Sequence, residues 1–513
     1  MKELALTTPI ILLAASFASL AGIVLPGALR VAYAVSVFSI AQLLVTVLVI
    51  AGFAHTTLMG GEPLVYMFGG WPLPLGIVYV ADSLSFTIAL LVSLTTTISI
   101  AVFWLSRGSP GSKILFQAFA LVVEAGLLGV LFTADFFHLF VMWEVVSVAS
   151  VGLAVVGGLD RRVVRAAFRY VISSSLVVAF YMFIVAITVY GSYGTLSIPD
   201  YIAKSLHSAG VAMISGGVAG SPELASGLLL ASVVLAFGLS AGLFPLHFWM
   251  PDLYERISTP VAILLAGGKE VVAVYVVARM LYTVHSSHPY AGEALATVKV
   301  ALFALGLGGV VYGALAILAR QSFRRMLAYY LVMDAGIIFV VLSAGGPRAI
   351  EAFVYLALSH VVLSIALFSL CDILESPQAI GRPLLATAGA LVAAGAPPFS
   401  SFFGKLLALL ALLDKPASLA LFAASVVVSS LAPLIAILRA SSEQRDSARM
   451  WVLAQLLLAS LSVVASLALG IGVFWLRELV LEPVAIEAID YQSYIEPALE
   501  RAREIYDRYW PRD

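Results

Sequence analysis

The chain has 513 residues, of which 62% are hydrophobic and 11% charged, with a formal net charge of −1 at pH 7. Soluble domains average about 25% charged residues, so the composition excludes one, and the balanced charge gives no reason to expect nucleic-acid binding. A single cysteine excludes an iron–sulfur cluster and an internal disulfide. With no GxGxxG turn and no Walker loop in the sequence, no cofactor or metal site is expected, and energy must come from an ion gradient or a partner.

Apolar runs long enough to cross a bilayer of ~30 Å recur along the whole chain. They give fourteen expected spans, at 4–25, 31–53, 77–104, 114–133, 134–157, 166–190, 225–246, 260–282, 298–318, 325–344, 349–371, 384–412, 418–438 and 451–475. The first run is longer than a signal-peptide core and lacks a clear cleavage site, so it reads as a retained helix. The loops after the odd-numbered spans carry fifteen basic residues, from Arg30 to Arg449, against six on the opposite side. That bias puts the basic loops in the cytoplasm of a cell-membrane, multi-pass protein, with both termini outward.

Two spans are interrupted alike. The seventh runs into GLFPLHFWMPD, with Pro245 near its end, and the twelfth contains GAPPFSSFFGK, with Pro397 and Pro398 inside. Proline removes a backbone donor and breaks a helix, and broken helices at matching places in two halves point to an ion path. The expected organisation is 1–113 (spans 1–3), 114–282 (first repeat), 298–438 (second repeat), 451–475 (span 14) and a polar tail, 476–513. In that tail Tyr494, Ala498, Ala502, Ile505 and Tyr509 recur at helical spacing. It is too polar to span, and is expected on the membrane surface or a neighbouring subunit.

Several charged residues fall inside the apolar runs: Glu124, Glu144, Lys269, Glu270, Asp334 and Lys405. A charge at mid-bilayer costs on the order of 3 kcal/mol or more, so each is a functional candidate. His360 has the intrinsic pKa of a proton switch, and His247 sits beside the first break. Asp82, Asp135, His138 and Arg279 lie near span ends and are expected to be structural or interfacial.

Seven stretches in series resemble the antiporter-like subunits of Mrp-type sodium/proton antiporters, membrane-bound hydrogenases and respiratory complex I. They are VADSLSF (80–86), TADFFHLFVMWEV (133–145), RAAFRYVISSS (165–175), YGTLSIPD (193–200), FPLHFWMPDLYERISTP (244–260), RRMLAYYLVMDAG (324–336) and APPFSSFFGK (396–405). APPFSSFFGK is most similar to the D subunit of Mrp antiporters. The resemblance implies an all-α polytopic fold of fourteen helices with two inverted five-helix repeats, helices 7 and 12 broken.

It also implies mid-membrane roles for Glu144, His360 and Lys405. Two positions depart from the family pattern: the lysines of helices 7 and 8 are Ser240 and Val271 here, and Lys269 lies two residues before the latter. The expected function is translocation of protons, with sodium as a second candidate ion, along Glu144, Lys269, His360 and Lys405. Glu124, His247, Glu270 and Asp334 are expected to support that path. The expected partners are the other membrane subunits of one complex and the lipid bilayer. The alternatives are the matching subunit of a complex-I-like dehydrogenase and an inactive bridging subunit.

Overall fold

The computed structural model describes residues 3–106, 108–158, 160–207, 222–286, 291–319, 322–374, 382–441 and 449–509. The molecule is a helical bundle. Among the described residues the exception is a two-stranded antiparallel hairpin, β1 (Leu64–Met67) with β2 (Val78–Ala81). The spanning helices are α1 (Leu4–Val24), α2 (Gly27–Leu58), α3 (Ser83–Leu105), α4 (Pro110–Phe132), α5 (Phe136–Gly157) and α6 (Arg161–Tyr193). After the short α7 (Ile198–His207) come α8 (Glu223–Tyr254), α9 (Thr259–Val284), α10 (Gly292–Leu318), α11 (Phe323–Ala344) and α12 (Pro347–Asp372). Then follow the short α13 (Arg382–Ala394) and α14 (Ser400–Ala411), and the spanning α15 (Pro416–Ile437). The chain ends with α16 (Arg449–Ile471), α17 (Val473–Ile489) and α18 (Tyr491–Tyr509).

Among the described residues twelve helices are each long and apolar enough to cross a membrane, or thirteen if α16 and α17, bent by 69°, form one crossing. The expected twelfth span is broken at its prolines, as the sequence implied, into the pair α13 and α14, of 13 and 12 residues. At 1.5 Å per residue, each is roughly 20 Å long, too short to cross alone. The third span also starts later than expected, because residues 78–81 pair in the hairpin.

The two breaks are built alike. The first segment of α8, helical as far as Ala241, ends at Gly242 (φ +81°), and α13 ends at Gly395 (φ +74°). Each glycine occupies a left-handed conformation that closes a helix at little cost only without a Cβ. In the first break Gly242 N–H donates to the Leu239 carbonyl and Leu243 N–H to that of Gly238; in the second, Gly395 donates to Val392 and Ala396 to Leu391. Proline stands three residues after each glycine, at Pro245 and Pro398.

At the end of the bundle that carries the hairpin, charges pin the helices. Asp82 caps α3 through Ser85 N–H, and Asp135 caps α5 through His138 N–H, as their places near span ends suggested. His138 is buried against the Thr133 hydroxyl rather than exposed at an interface. Arg279 of α9 grips Asp82 bidentately at 2.6 and 2.7 Å, lies 4.8 Å from the Tyr494 ring and is itself buried.

The tail therefore lies on its own chain. Tyr494, Ala498 and Ala502 are buried, Glu487 accepts from Ser83 N–H, and the Tyr506 hydroxyl donates to Leu73. The Tyr509 side chain falls outside the described ones. Besides the membrane surface or a neighbouring subunit that the sequence suggested, the tail has a place on its own chain, where its apolar face meets Arg279 and the hairpin end.

Breaking a buried pair strands one charge, so Arg279→Gln should lose about 3–5 kcal/mol of stability. Asp82→Leu combined with Arg279→Met should regain part of that. Thermal unfolding of the purified chain reads both. Burial alone would raise the Asp82 pKa, but the charge and hydrogen bonds of Arg279 outweigh it and hold the carboxyl below its ordinary value. A depressed folded pKa means that this stabilisation is present above the unfolded pKa of about 4 and is lost as pH falls through the lower folded value.

Candidate functional site

Lys269 and Glu270 are the eleventh and twelfth of the 26 residues of α9, so they sit at its middle. The turn that carries them, Leu265–Glu270, is π-helical. Such a wide turn shifts the helical register locally and is common at functional sites. Gly267 and Gly268 lie within this distorted turn, both at negative φ. A Cβ on Gly267 would stand 2.6 Å from Thr95 Cγ2, so glycine is needed for the close approach of α9 to α3.

Lys269 is only 1% exposed and points into a cage of three aromatic rings. Its ammonium lies 4.5 Å from the Tyr170 ring centroid, 4.9 Å from that of Trp249 and 5.6 Å from that of Trp143. It also donates to the Ser240 carbonyl at 3.3 Å, just before the break in α8. Ring faces attract a desolvated cation, and the last carbonyls of a helix carry partial negative charge. The ammonium thus reaches the residue at which the sequence pattern lacks its lysine.

Adjacent helical positions point about 100° apart, and Glu270 faces another way. The Tyr254 hydroxyl donates to its Oε1. Its Oε2 lies 3.9 Å from His360 Nε2, while His360 Nδ1 lies 2.6 Å from Asp334 Oδ2. All three groups are buried, and His360 and Asp334 are mid-helix in α12 and α11. An imidazole with a carboxylate at each nitrogen has a place to take up a proton on one side and release it on the other.

Lys405, on α14, repeats the lysine-to-break contact in the second half. Its ammonium donates to the Ala394 carbonyl at 3.0 Å, one residue before Gly395, and to the Ser430 hydroxyl at 3.0 Å. A Cβ at Gly395 would come within 3.2 Å of that nitrogen, so the glycine also makes room for it.

The remaining candidates lie apart. Glu144 is only half-buried and accepts from Ser175 of α6; its neighbour Trp143, not Glu144, faces Lys269. Glu124 is buried and accepts from Gln42. His247 is buried, stacked on Phe244 at 5.7 Å and against Tyr312 at 4.9 Å. The Glu144–Lys269–His360–Lys405 series is thus not a chain of direct contacts. The contacts join Glu270, His360 and Asp334, and place one lysine at each break. Sequence reading missed Tyr170, Trp249, Tyr254, Ser175, Gln42 and Ser430, because their roles arise from contacts between helices. The aromatic residues of VMWEV, FRYV and HFWMPDLY were the available signal.

These features define a polytopic membrane bundle with buried charges at two helix breaks, and known proteins share its sequence pattern and fold. Residues 133–432 match the family described as NADH:quinone oxidoreductase/Mrp antiporter, transmembrane. The chain is 32% identical over 393 residues to the N subunit of the NADH-quinone oxidoreductase of Desulforudis audaxviator, covering 73% of this chain and 74% of that one. It is 27% identical over 362 residues to the D subunit of the Na(+)/H(+) antiporter of Alkalihalophilus pseudofirmus, covering 67% and 68%.

In fold, it matches a chain of the Mrp complex of a Dietzia species with a TM-score of 0.79, at 21% identity over 97% of this chain and 99% of that one. It matches a chain of an archaeal membrane-bound sulfane sulfur reductase with a TM-score of 0.80, at 20% identity over 97% and 100%. The protein belongs to the NADH:quinone oxidoreductase/Mrp antiporter membrane-subunit family.

Tyr254→Phe leaves a buried carboxylate short of a donor and should lower stability by about 1–3 kcal/mol. Trp249→Phe keeps a ring beside Lys269 but loses the indole bond to the Leu239 carbonyl, 2.8 Å long, and should cost about 1 kcal/mol. Trp249→Leu loses ring and bond together and should melt lower than Trp249→Phe. Melting of the three variants in one detergent gives the order.

Proposed function

We propose that this chain conducts protons across the membrane, exchanged for sodium, as one subunit of a multi-subunit complex of the Mrp antiporter type. The observation that carries this reading is the buried Glu270–His360–Asp334 series, flanked by Lys269 at one helix break and Lys405 at the other. Water supplies the missing links. Glu144 Oε1, Tyr170 OH, Ser240 Oγ, Glu270 Oε2, His360 Nε2 and Ser364 Oγ are buried atoms with no protein hydrogen-bond partner among the described residues. Buried polar groups are nearly always hydrogen-bonded, to water where protein offers nothing.

The matched caps at Gly242 and Gly395 support two repeats, 114–282 and 298–438, with α13 and α14 together as one broken crossing; with α16 and α17 taken as another, the twelve become fourteen. The termini face outward in this reading. A cavity of about 840 Å³ at the hairpin end is lined by Glu62, Glu478, Glu482, Glu487, Asp490, Glu496 and Glu500 and no basic residue, whereas arginines gather at the opposite end. Such asymmetry fits the rule that basic loops stay inside. The second reading, a proton-conducting subunit of a complex-I-like dehydrogenase, is favoured by the 32% identity to an NADH-quinone oxidoreductase chain. Neighbouring genes for small antiporter subunits or for redox subunits separate the two.

Ion flux into vesicles holding the assembled complex tests the pathway. Lys405→Ala should reduce it at least tenfold without loss of assembly, and wild-type flux would sink the reading. Glu144→Gln should be nearly as severe, with Glu144→Asp partly active; equal behaviour of the two would make the role geometric. Lys269→Ala should match Lys405→Ala, whereas lower assembly with normal flux per complex would reduce Lys269 to a helix-pinning group.

A further inference from the structure

At the end of the bundle opposite the acidic cavity, α6 begins with a run of arginines. Arg162, Arg165 and Arg169 of α6, with Arg256 from the turn after α8, line a cavity of about 210 Å³; Ala166 and Asp252 complete its walls. Asp252 is the one carboxylate there, and it is already engaged by Arg169 at 2.9 Å and by Arg325 at 3.3 Å. Arg162, Arg165 and Arg256 form no ion pair among the described residues. Four guanidinium groups around one cavity, three of them without a counter-ion, make a site for an anion with several oxygens, because a guanidinium fork matches phosphate geometry.

A second observation identifies the carrier of that anion. Directly beyond the arginines the same face of α6 presents Phe168, Ile172, Leu176, Phe180 and Phe183, exposed by 54, 63, 70, 48 and 61%. Spacings of four, four, four and three keep them on one stripe, in line with Arg165. From Phe168 to Phe183 the stripe runs roughly 22 Å, longer than the ~15 Å of one bilayer leaflet. A charged end followed by an acyl-length apolar stripe has the shape of a phospholipid. We propose that this groove binds an anionic phospholipid, its headgroup phosphate among Arg162, Arg165, Arg169 and Arg256 and its chains along α6. Basic pockets between membrane helices are known places for anionic headgroups.

The site touches the segments that build the aromatic cage. Tyr170 follows Arg169 in α6, and Trp249 stands three residues before Asp252. A bound headgroup would hold α6 against the end of α8, the two elements that supply those rings to Lys269.

The test uses the purified full chain, delipidated in neutral detergent, and measures the affinity of a fluorescent phosphatidylglycerol. Phosphatidylcholine and inorganic phosphate serve as competitors. Wild type should bind phosphatidylglycerol, with little displacement by phosphatidylcholine or by millimolar phosphate. Each arginine contributes about fivefold, so Arg162→Gln, Arg165→Gln and Arg256→Gln together should weaken binding about a hundredfold.

The matching triple lysine variant, which keeps the charge, should retain most of the affinity and guards against misfolding of the glutamine variant. The control Arg501→Gln with Arg503→Gln should bind as wild type. Equal phosphatidylglycerol affinity in wild type and the glutamine variant would overturn the proposal. So would equal affinity for phosphatidylcholine, and displacement by low-millimolar phosphate would make the site one for a free anion rather than a lipid.

Discussion

A helix that stops inside an apolar bundle leaves its last carbonyls without intrahelical partners, and no water-filled exterior is at hand to satisfy them. This chain stops two helices that way, at Gly242 and Gly395, and in each case a lysine ammonium donates to a carbonyl one or two residues before the glycine. The carbonyl and the ammonium answer each other: each is expensive to bury alone, and together they supply a hydrogen bond strengthened by charge. The two lysines arrive by different routes. Lys405 comes from the second segment of its own broken pair, while Lys269 comes from the neighbouring helix α9 through a π-helical turn.

The surroundings of the two lysines differ in a way that matters for charge. Lys405 has the Ser430 hydroxyl as a second acceptor, whereas Lys269 has aromatic faces from three separate elements. Neither has a carboxylate within ion-pair distance among the described residues. The acids instead gather around His360. Keeping the cations apart from the carboxylates leaves the two lysines without an ion-pair partner among the described residues, unlike Arg279 and Asp82, whose bidentate contact at the hairpin end fixes α9 to α3 and to the tail. The same helix thus carries a rigid ion pair near its end and separate titratable groups at its middle.

Much of this was legible in the residues. Apolar runs located the spanning helices, because a bilayer demands about twenty apolar residues wherever a helix crosses. Proline marked both breaks, because it acts on the backbone itself and needs no tertiary context. Charges inside apolar runs marked Glu124, Glu144, Lys269, Glu270, Asp334 and Lys405, because hydrocarbon penalises them wherever they lie. The aspartates at span ends read as structural from their position alone; that each caps a helix came from the structure.

Only the tertiary structure decided which of those groups meet. Lys269 and Glu270 are neighbours in sequence, yet one faces the aromatic rings of α5, α6 and α8 and the other faces His360. That separation follows from helical geometry, but the partners come from residues tens of positions away. The close approach of α9 to α3 at Gly267, the docking of the tail on Arg279 and the meeting of His360 with Asp334 are all contacts between helices. A one-dimensional pattern records how residues repeat along a helix and nothing of how the helices rotate against one another. The sequence by itself therefore determined where this chain crosses, where it breaks and which charges it buries. The packing of the helices determined how those charges are paired.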